Sequence, residues 1–305
     1  VKPGDRLRLT ISAQTSDAAA LAQAALEARA RGERVLVVCA DPADVPRLAQ
    51  EMPWFEPKLD VRPLPDWETL PYDVLSPQEE LVSERLEALY RLTAPTGGAD
   101  VLLTSAVTAS QRLSPVSYIG ANTFFFHQGE QISLTTLQKR LAAAGYANVK
   151  QVLAAGEFAV RGSIVDVFPM GSERPFRLDF FDDEIESIRW FDVDTQRSME
   201  SAEEIRLLPG HEFPVDPEAL LAFRQRWRRE FAGDPKKSIV YCDIEKEILP
   251  PGIEYYLPLF FDETAALTDY LPPNARVFLL GDIEAALQAF GRDMACLLYT
   301  SDAAD

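Results

Sequence analysis

Residues 156–198 read GEFAVRGSIVDVFPMGSERPFRLDFFDDEIESIRWFDVDTQRS, a run of short strands and tight turns. Its middle strand, 176–181, alternates with a period of two: Phe176, Leu178 and Phe180 fall on one side, Arg177, Asp179 and Phe181 on the other. The first side is uniformly apolar and faces a core. The second is charged except for one large aromatic. Two readings of Phe181 stand open: an anchor for a partner surface, set two positions along the same face from Arg177, or a ring covered by a neighbouring loop or helix. Asp182 and Asp183 form a tight hairpin turn before Glu184. Upstream, 135–144 is helical, capped by Ser133 or Thr135 and closed by Gly145, and 124–126 adds an edge strand. One helix against a small curved antiparallel sheet makes an α+β unit.

On the N-terminal side the pattern changes. Residues 17–32 are Ala-rich and helical, and 34–39 (RVLVVC) is a short, wholly apolar run of the kind buried in a parallel sheet. A helix over 42–51, a strand over 61–64, an amphipathic helix over 79–92 with Leu81, Leu86, Leu89 and Tyr90 on one face, a strand over 100–104 and a helix from 106 follow. Strands alternating with helices imply an α/β layer fold with a parallel sheet. A nucleotide site on such a sheet needs glycines to wrap a phosphate, a lysine, and a Ser or Thr for the metal. The equivalent stretch, 9–20 (LTISAQTSDAAA), has neither glycine nor lysine. Residues 66–77, with Trp67 and Tyr72, read as an ordered loop whose aromatics pack.

On the C-terminal side, Asp216-Pro217 opens a helix to 231, with Leu220, Phe223, Trp227 and Phe231 on a core face. Arg224, Arg226, Arg228 and Arg229 form a dense basic cluster, read as a solvated helix face rather than a phosphate patch. Residues 238–242 and 276–280 read as buried strands, and 250–261 as an apolar loop across the sheet. The formal net charge of −18 argues against strong nucleic-acid binding by this chain. Three scattered cysteines and two histidines give no metal spacing, disulfide framework or catalytic cluster, so a reducing cytoplasm is expected. No apolar run is long enough to span a bilayer, and no membrane partner is expected.

The segments GEFAVRG and VDVFPMGSERPFRLDFFDDEIESIRWFDVDTQRS closely resemble the UvrA-binding module shared by UvrB and the bacterial transcription-repair coupling factors. DWETLPYD, LPGHEFP and GIEYYLPLFF favour the coupling factors, and the resemblance runs to about residue 292. It implies an α/β fold: a degenerate P-loop-NTPase-like parallel-sheet domain with an inserted small α+β UvrA-binding domain. The expected divisions are 1–123 (domain 1a), 124–208 (UvrA interaction), 209–296 (domain 1b, returning to complete the first) and 297–305, a tail that matches nothing in the family. It implies a non-catalytic module that recruits UvrA to stalled RNA polymerase in nucleotide excision repair, with Arg161, Arg177 and Phe181 as the UvrA-binding residues. Arg161 is placed on that face by the resemblance alone, and Asp179 is expected to hold Arg177. Polymerase, double-stranded DNA, ATP and Mg would be engaged through domains absent from this chain, and an absent C-terminal domain would mask the UvrA face. A UvrB-like damage-binding ATPase is the alternative. It calls for a phosphate loop and a tyrosine-rich hairpin, and neither is present. An unrelated small-molecule enzyme has no nucleophile or base constellation behind it.

Overall fold

The structure, a computed structural model, describes residues 14–71, 75–94 and 98–302, with side chains described from 17 to 297 within those limits. Tyr72 and the first part of the 9–20 stretch lie outside them.

The first half alternates helix and strand: α1 (Gln14–Arg29), β1 (Val35–Cys39), α2 (Asp44–Phe55), β2 (Val61–Pro63), α3 (Glu79–Thr93), β3 (Val101–Ser105), α4 (Ala106–Ser110) and α5 (Val116–Ala121). Next come β4 (Phe124–His127), α6 (Leu134–Ala143), β5 (Ala147–Asn148), β6 (Glu157–Arg161), β7 (Ile164–Val167), β8 (Phe176–Phe181), β9 (Glu184–Phe191), β10 (Ser198–Ala202) and β11 (Glu204–Leu207). The chain ends with α7 (Pro217–Glu230), α8 (Ile239–Glu245), β12 (Arg276–Leu280) and α9 (Ile283–Asp302).

The α/β frame is a parallel sheet of order β12-β1-β3-β2. β1 is apolar throughout, and β3 from Val101 to Leu103, because both their faces are covered. Val35, Val37, Cys39, Val101 and Leu103 pack with α1 and α2, while Leu36, Val38 and Leu102 join Leu86 and Leu89 of α3. β12 comes from the far end of the sequence and pairs with β1, from Val35–Arg276 to Cys39–Leu280. It is an edge strand, and Val277 and Leu279 are exposed, so the expectation of a buried strand is corrected.

Between β3 and β12 lies a sheet of order β10-β9-β8-β7-β6-β5, antiparallel except at β5-β6. The expected alternation in β8 is present: Phe176, Leu178 and Phe180 are buried, and Phe181 is exposed. Asp179 pairs with Ser187 but Phe180 with Ile185, leaving Glu186 as a bulge that keeps both Ile185 and Ile188 in the core. Ser133 caps α6 by accepting from the Thr136 amide, which decides between the two expected caps. The 124–126 strand does not join this sheet. As β4 it pairs antiparallel with β11 in a two-stranded sheet of its own.

The core of this sheet runs without a break into the frame. Leu86 and Leu89 of α3 belong to one apolar cluster with Leu137, Phe158, Val165, Leu178 and Ile188. Polar contacts reinforce the seam: the Gly171 amide donates to Ser83 Oγ at 2.7 Å, Arg206 pairs with Glu87, and Tyr146 donates to the Leu208 carbonyl at 2.8 Å. α3 is therefore covered on more sides than a surface helix. Leu81, expected on its core face, is half-buried, and Arg85 is fully buried.

The C-terminal segment departs furthest from expectation. Residues 238–242 are not a strand: Ser238 caps α8 through the Tyr241 amide, and Tyr241 and Ile244 are buried three residues apart. Residues 250–261 do not lie across the sheet. Their 3-10 turn, Ile253–Leu259, packs with Phe223, Trp227 and Tyr241 of α7 and α8 in a separate aromatic cluster. Phe231 sits at the C-cap of α7, half out of that cluster, with its ring 4.5 Å from Trp227. α9 continues to Asp302, through the boundary at 297 drawn from sequence.

Candidate functional site

The outward side of the central sheet carries the three expected residues. Arg161 ends β6, just before Gly162, whose φ of +63° makes the turn into β7. Cross-strand pairing puts Ala159, Asp166, Arg177 and Arg189 in one row, and Arg161, Ile164, Asp179 and Ser187 in the next. Phe181 follows at the hairpin end, opposite Glu184, with Asp182 at φ +52° in the turn beyond. Arg161, Arg177 and Phe181 thus share one face. The ring of Phe181 is 68% exposed, and no loop or helix covers it.

The two arginines meet on one carboxylate. Asp166 is 1% exposed. Its Oδ1 accepts from Arg177 Nε at 2.6 Å and its Oδ2 from Arg177 Nη2 at 2.9 Å; the same Oδ2 accepts from Arg161 Nη2. Arg177 Nη1 donates to the Gln196 carbonyl at 3.1 Å and to Ser198 Oγ at 3.3 Å, and its guanidinium lies 4.9 Å from the Phe191 ring centre. Hydrogen bonding to Asp166 holds Arg177 above the usual arginine range. Asp179 is not the residue that holds Arg177: it accepts from Ser187 Oγ at 2.9 Å. Asp166 was missed in the sequence because it sits in the apolar run IVDVF, where register with β8 cannot be read. Arg189 was missed too. It is exposed directly opposite Arg177.

Elsewhere several charges are paired locally. Asp17 near the amino end of α1 accepts from the Ala18 amide at 2.7 Å and is clamped by Arg47 at 3.0 and 2.9 Å. Within the 224–229 cluster, Arg226 binds Asp262 at 2.6 Å, Arg228 lies 5.5 Å from the Tyr241 ring centre, and Arg229 binds Glu230 at 2.8 Å. A cavity of about 260 Å³ lies where α3, the inserted sheet and the 3-10 turn meet. Among its lining residues, burial pushes Glu79 and Glu254 up and His211 down to about 4. Among the described residues no cluster of three or more His, Cys, Asp or Glu could hold a metal, and no helix is long and apolar enough to cross a membrane.

An exposed aromatic on the same sheet face as two arginines held by one buried carboxylate has the make-up of a protein-docking surface. Residues 124–213 match the UvrB interaction domain family. Over 260 residues the chain is 43% identical to the transcription-repair-coupling factor of Escherichia coli (strain K12), covering 85% of this chain and 22% of that protein. It is 49% identical over 216 residues to that of Haemophilus influenzae (70% and 18%), and 32% identical over 216 residues to that of Bacillus subtilis (66% and 18%). Over most of its length the chain is similar to transcription-repair-coupling factors, and it spans about a fifth of the length of the curated relatives it matches.

Proposed function

We propose that this chain is the UvrA-recruiting module of a transcription-repair-coupling factor, and that Arg161, Arg177 and Phe181 form its UvrA contact. The observation that carries the reading is the bare ring of Phe181 beside two arginines fixed on Asp166, within a UvrB interaction domain. Arg161, which gives only Nη2 to Asp166, keeps donors for a partner carboxylate, and a solvent-exposed phenylalanine supplies the apolar anchor. The divisions proposed are 1–123, 124–208, 209–296 and a tail of 297–305.

The frame is proposed to be a degenerate P-loop-NTPase-like domain that presents this sheet and catalyses nothing. Supporting this, the amino end of α1, where such folds seat a phosphate, holds the Asp17 carboxylate clamped by Arg47. In the whole protein, proposed to be cytoplasmic, RNA polymerase, double-stranded DNA, ATP and Mg would be engaged by other domains. One of these would mask the UvrA face until polymerase is engaged. The matched relatives are coupling factors over most of this chain, which disfavours a UvrB-like ATPase.

A pull-down with purified UvrA tests the reading. The chain retains UvrA, and Arg177→Glu abolishes most retention while the fold, followed by circular dichroism, persists. Normal retention by a folded Arg177→Glu protein would sink the proposal. ATP turnover by the purified chain, lost on mutation within 9–20, would overturn the non-catalytic part.

A further inference from the structure

The geometry points to Asp166 as the positioning residue of the docking face: one buried carboxylate sets the direction of both guanidinium groups. This rests on the UvrA-docking reading and names a residue on which that contact depends without being touched by it.

Asp166 is too buried to meet a partner, since its own strand and the two arginines cover it. A lone buried carboxylate in a sheet would be strongly unfavourable. Here it is matched by two cations, leaving one positive charge in excess on an otherwise acidic chain. The two arginines are not held alike. Arg177 has all three nitrogens engaged, Nε and Nη2 by Asp166 and Nη1 by Gln196 and Ser198, and its side chain is 13% exposed. Arg161 gives only Nη2 to Asp166 and is 47% exposed. Its Nε and Nη1 have no partner among the described residues. Asp166 thus fixes Arg177 as a flat, filled support and holds Arg161 by one corner with its remaining donors facing solvent. Arginine stems lose rotamer entropy when they are ordered, so a guanidinium already aimed binds more tightly than one ordered on contact.

The test is a double-mutant cycle on the whole chain, with UvrA affinity measured by titration calorimetry. Asp166→Asn keeps the shape but removes the charge and turns an amide N–H toward the guanidinium groups. It is expected to weaken binding by tenfold or more, and the loss is expected to be severalfold smaller in an Arg161→Ala background, where only Arg177 remains to be oriented. Unchanged affinity, or an equal loss in both backgrounds, would overturn the role. If Asp166→Asn does not fold, Asp166→Glu keeps the charge but displaces the carboxylate by a methylene, and the same loss and the same shrinkage are expected. A second readout separates this inference from the UvrA reading. The Nε–H signals of Arg161 and Arg177 in a proton–nitrogen spectrum of the free chain report the fork directly. A slowly exchanging Arg177 Nε–H, lost in the Asp166 variant, supports the positioning role even if wild-type chain fails to bind UvrA. Equal, fast exchange in both proteins contradicts it.

Discussion

Arg85 has no solvent exposure, and its guanidinium meets Glu212 through Nε at 2.5 Å and Nη2 at 3.3 Å, with Nη1 on the Pro65 carbonyl at 2.7 Å. Trp67 completes the group, donating its indole N–H to Glu212 at 3.2 Å with its ring 4.8 Å from the guanidinium carbon. Removing one partner strands a buried charge. Arg85→Ala is expected to cost about 3–5 kcal/mol in urea unfolding, and Arg85→Met with Glu212→Leu much less. A pair that lost equally in both variants would show that packing, not charge compensation, dominates. His211 makes a second residue-level prediction. It stays neutral down to about 4 in the folded chain against an ordinary 6.5, so between those values the unfolded chain binds the extra proton. Its contribution to stability is complete above 6.5 and is lost as pH falls toward 4. Glu79 and Glu254, raised by burial, act with the opposite sign: their contribution falls as pH rises above the ordinary carboxylate value of 4.5. The Tm difference between wild type and His211→Gln should therefore grow from pH 4.5 to 6.5, and a constant difference would remove His211 from the account.

Among the elements, β8 was the most legible in the sequence and α8 the least. β8 lies on a sheet with one wet face, so its side chains had to alternate, and Arg177 and Phe181 could be assigned to that face before any contact was known. α8 was misread because Ile239, Val240 and Tyr241 look like a short buried strand. Only Ser238 as a cap and Ile244 three residues beyond Tyr241 mark it as helical. Ser238→Ala should lower stability by about 1 kcal/mol in a chemical melt, as loss of a helix cap does, whereas a cap of no consequence would leave the midpoint unmoved. The proposed docking residues were visible as a face, but the convergence of both arginines on Asp166 was not. Strand register decides that Asp166 stands beside Arg177, and register depends on turns and on the Glu186 bulge rather than on local pattern.

For the whole molecule, the continuous core matters most. α3 belongs to the frame by sequence, yet Leu86 packs in the same cluster as Val165 and Leu178 of the inserted sheet. The proposed docking face is thus backed by the core of the frame. Leu86→Ala should destabilise by about 2–5 kcal/mol and raise amide exchange in β7 and β8 as well as in β1. Exchange confined to the frame would show that the two parts unfold separately.

The most direct measurement compares two exposed phenylalanines. Phe181 lies on the proposed docking face, and Phe125, 46% exposed, lies on the separate two-stranded sheet. Calorimetric titration of the whole chain with UvrA should show Phe181→Ala weakened by about 2 kcal/mol or more, as expected of a central anchor, with Phe125→Ala unchanged and both variants melting like wild type. Equal affinity for Phe181→Ala and wild type, or an equal loss in both variants, would contradict the account.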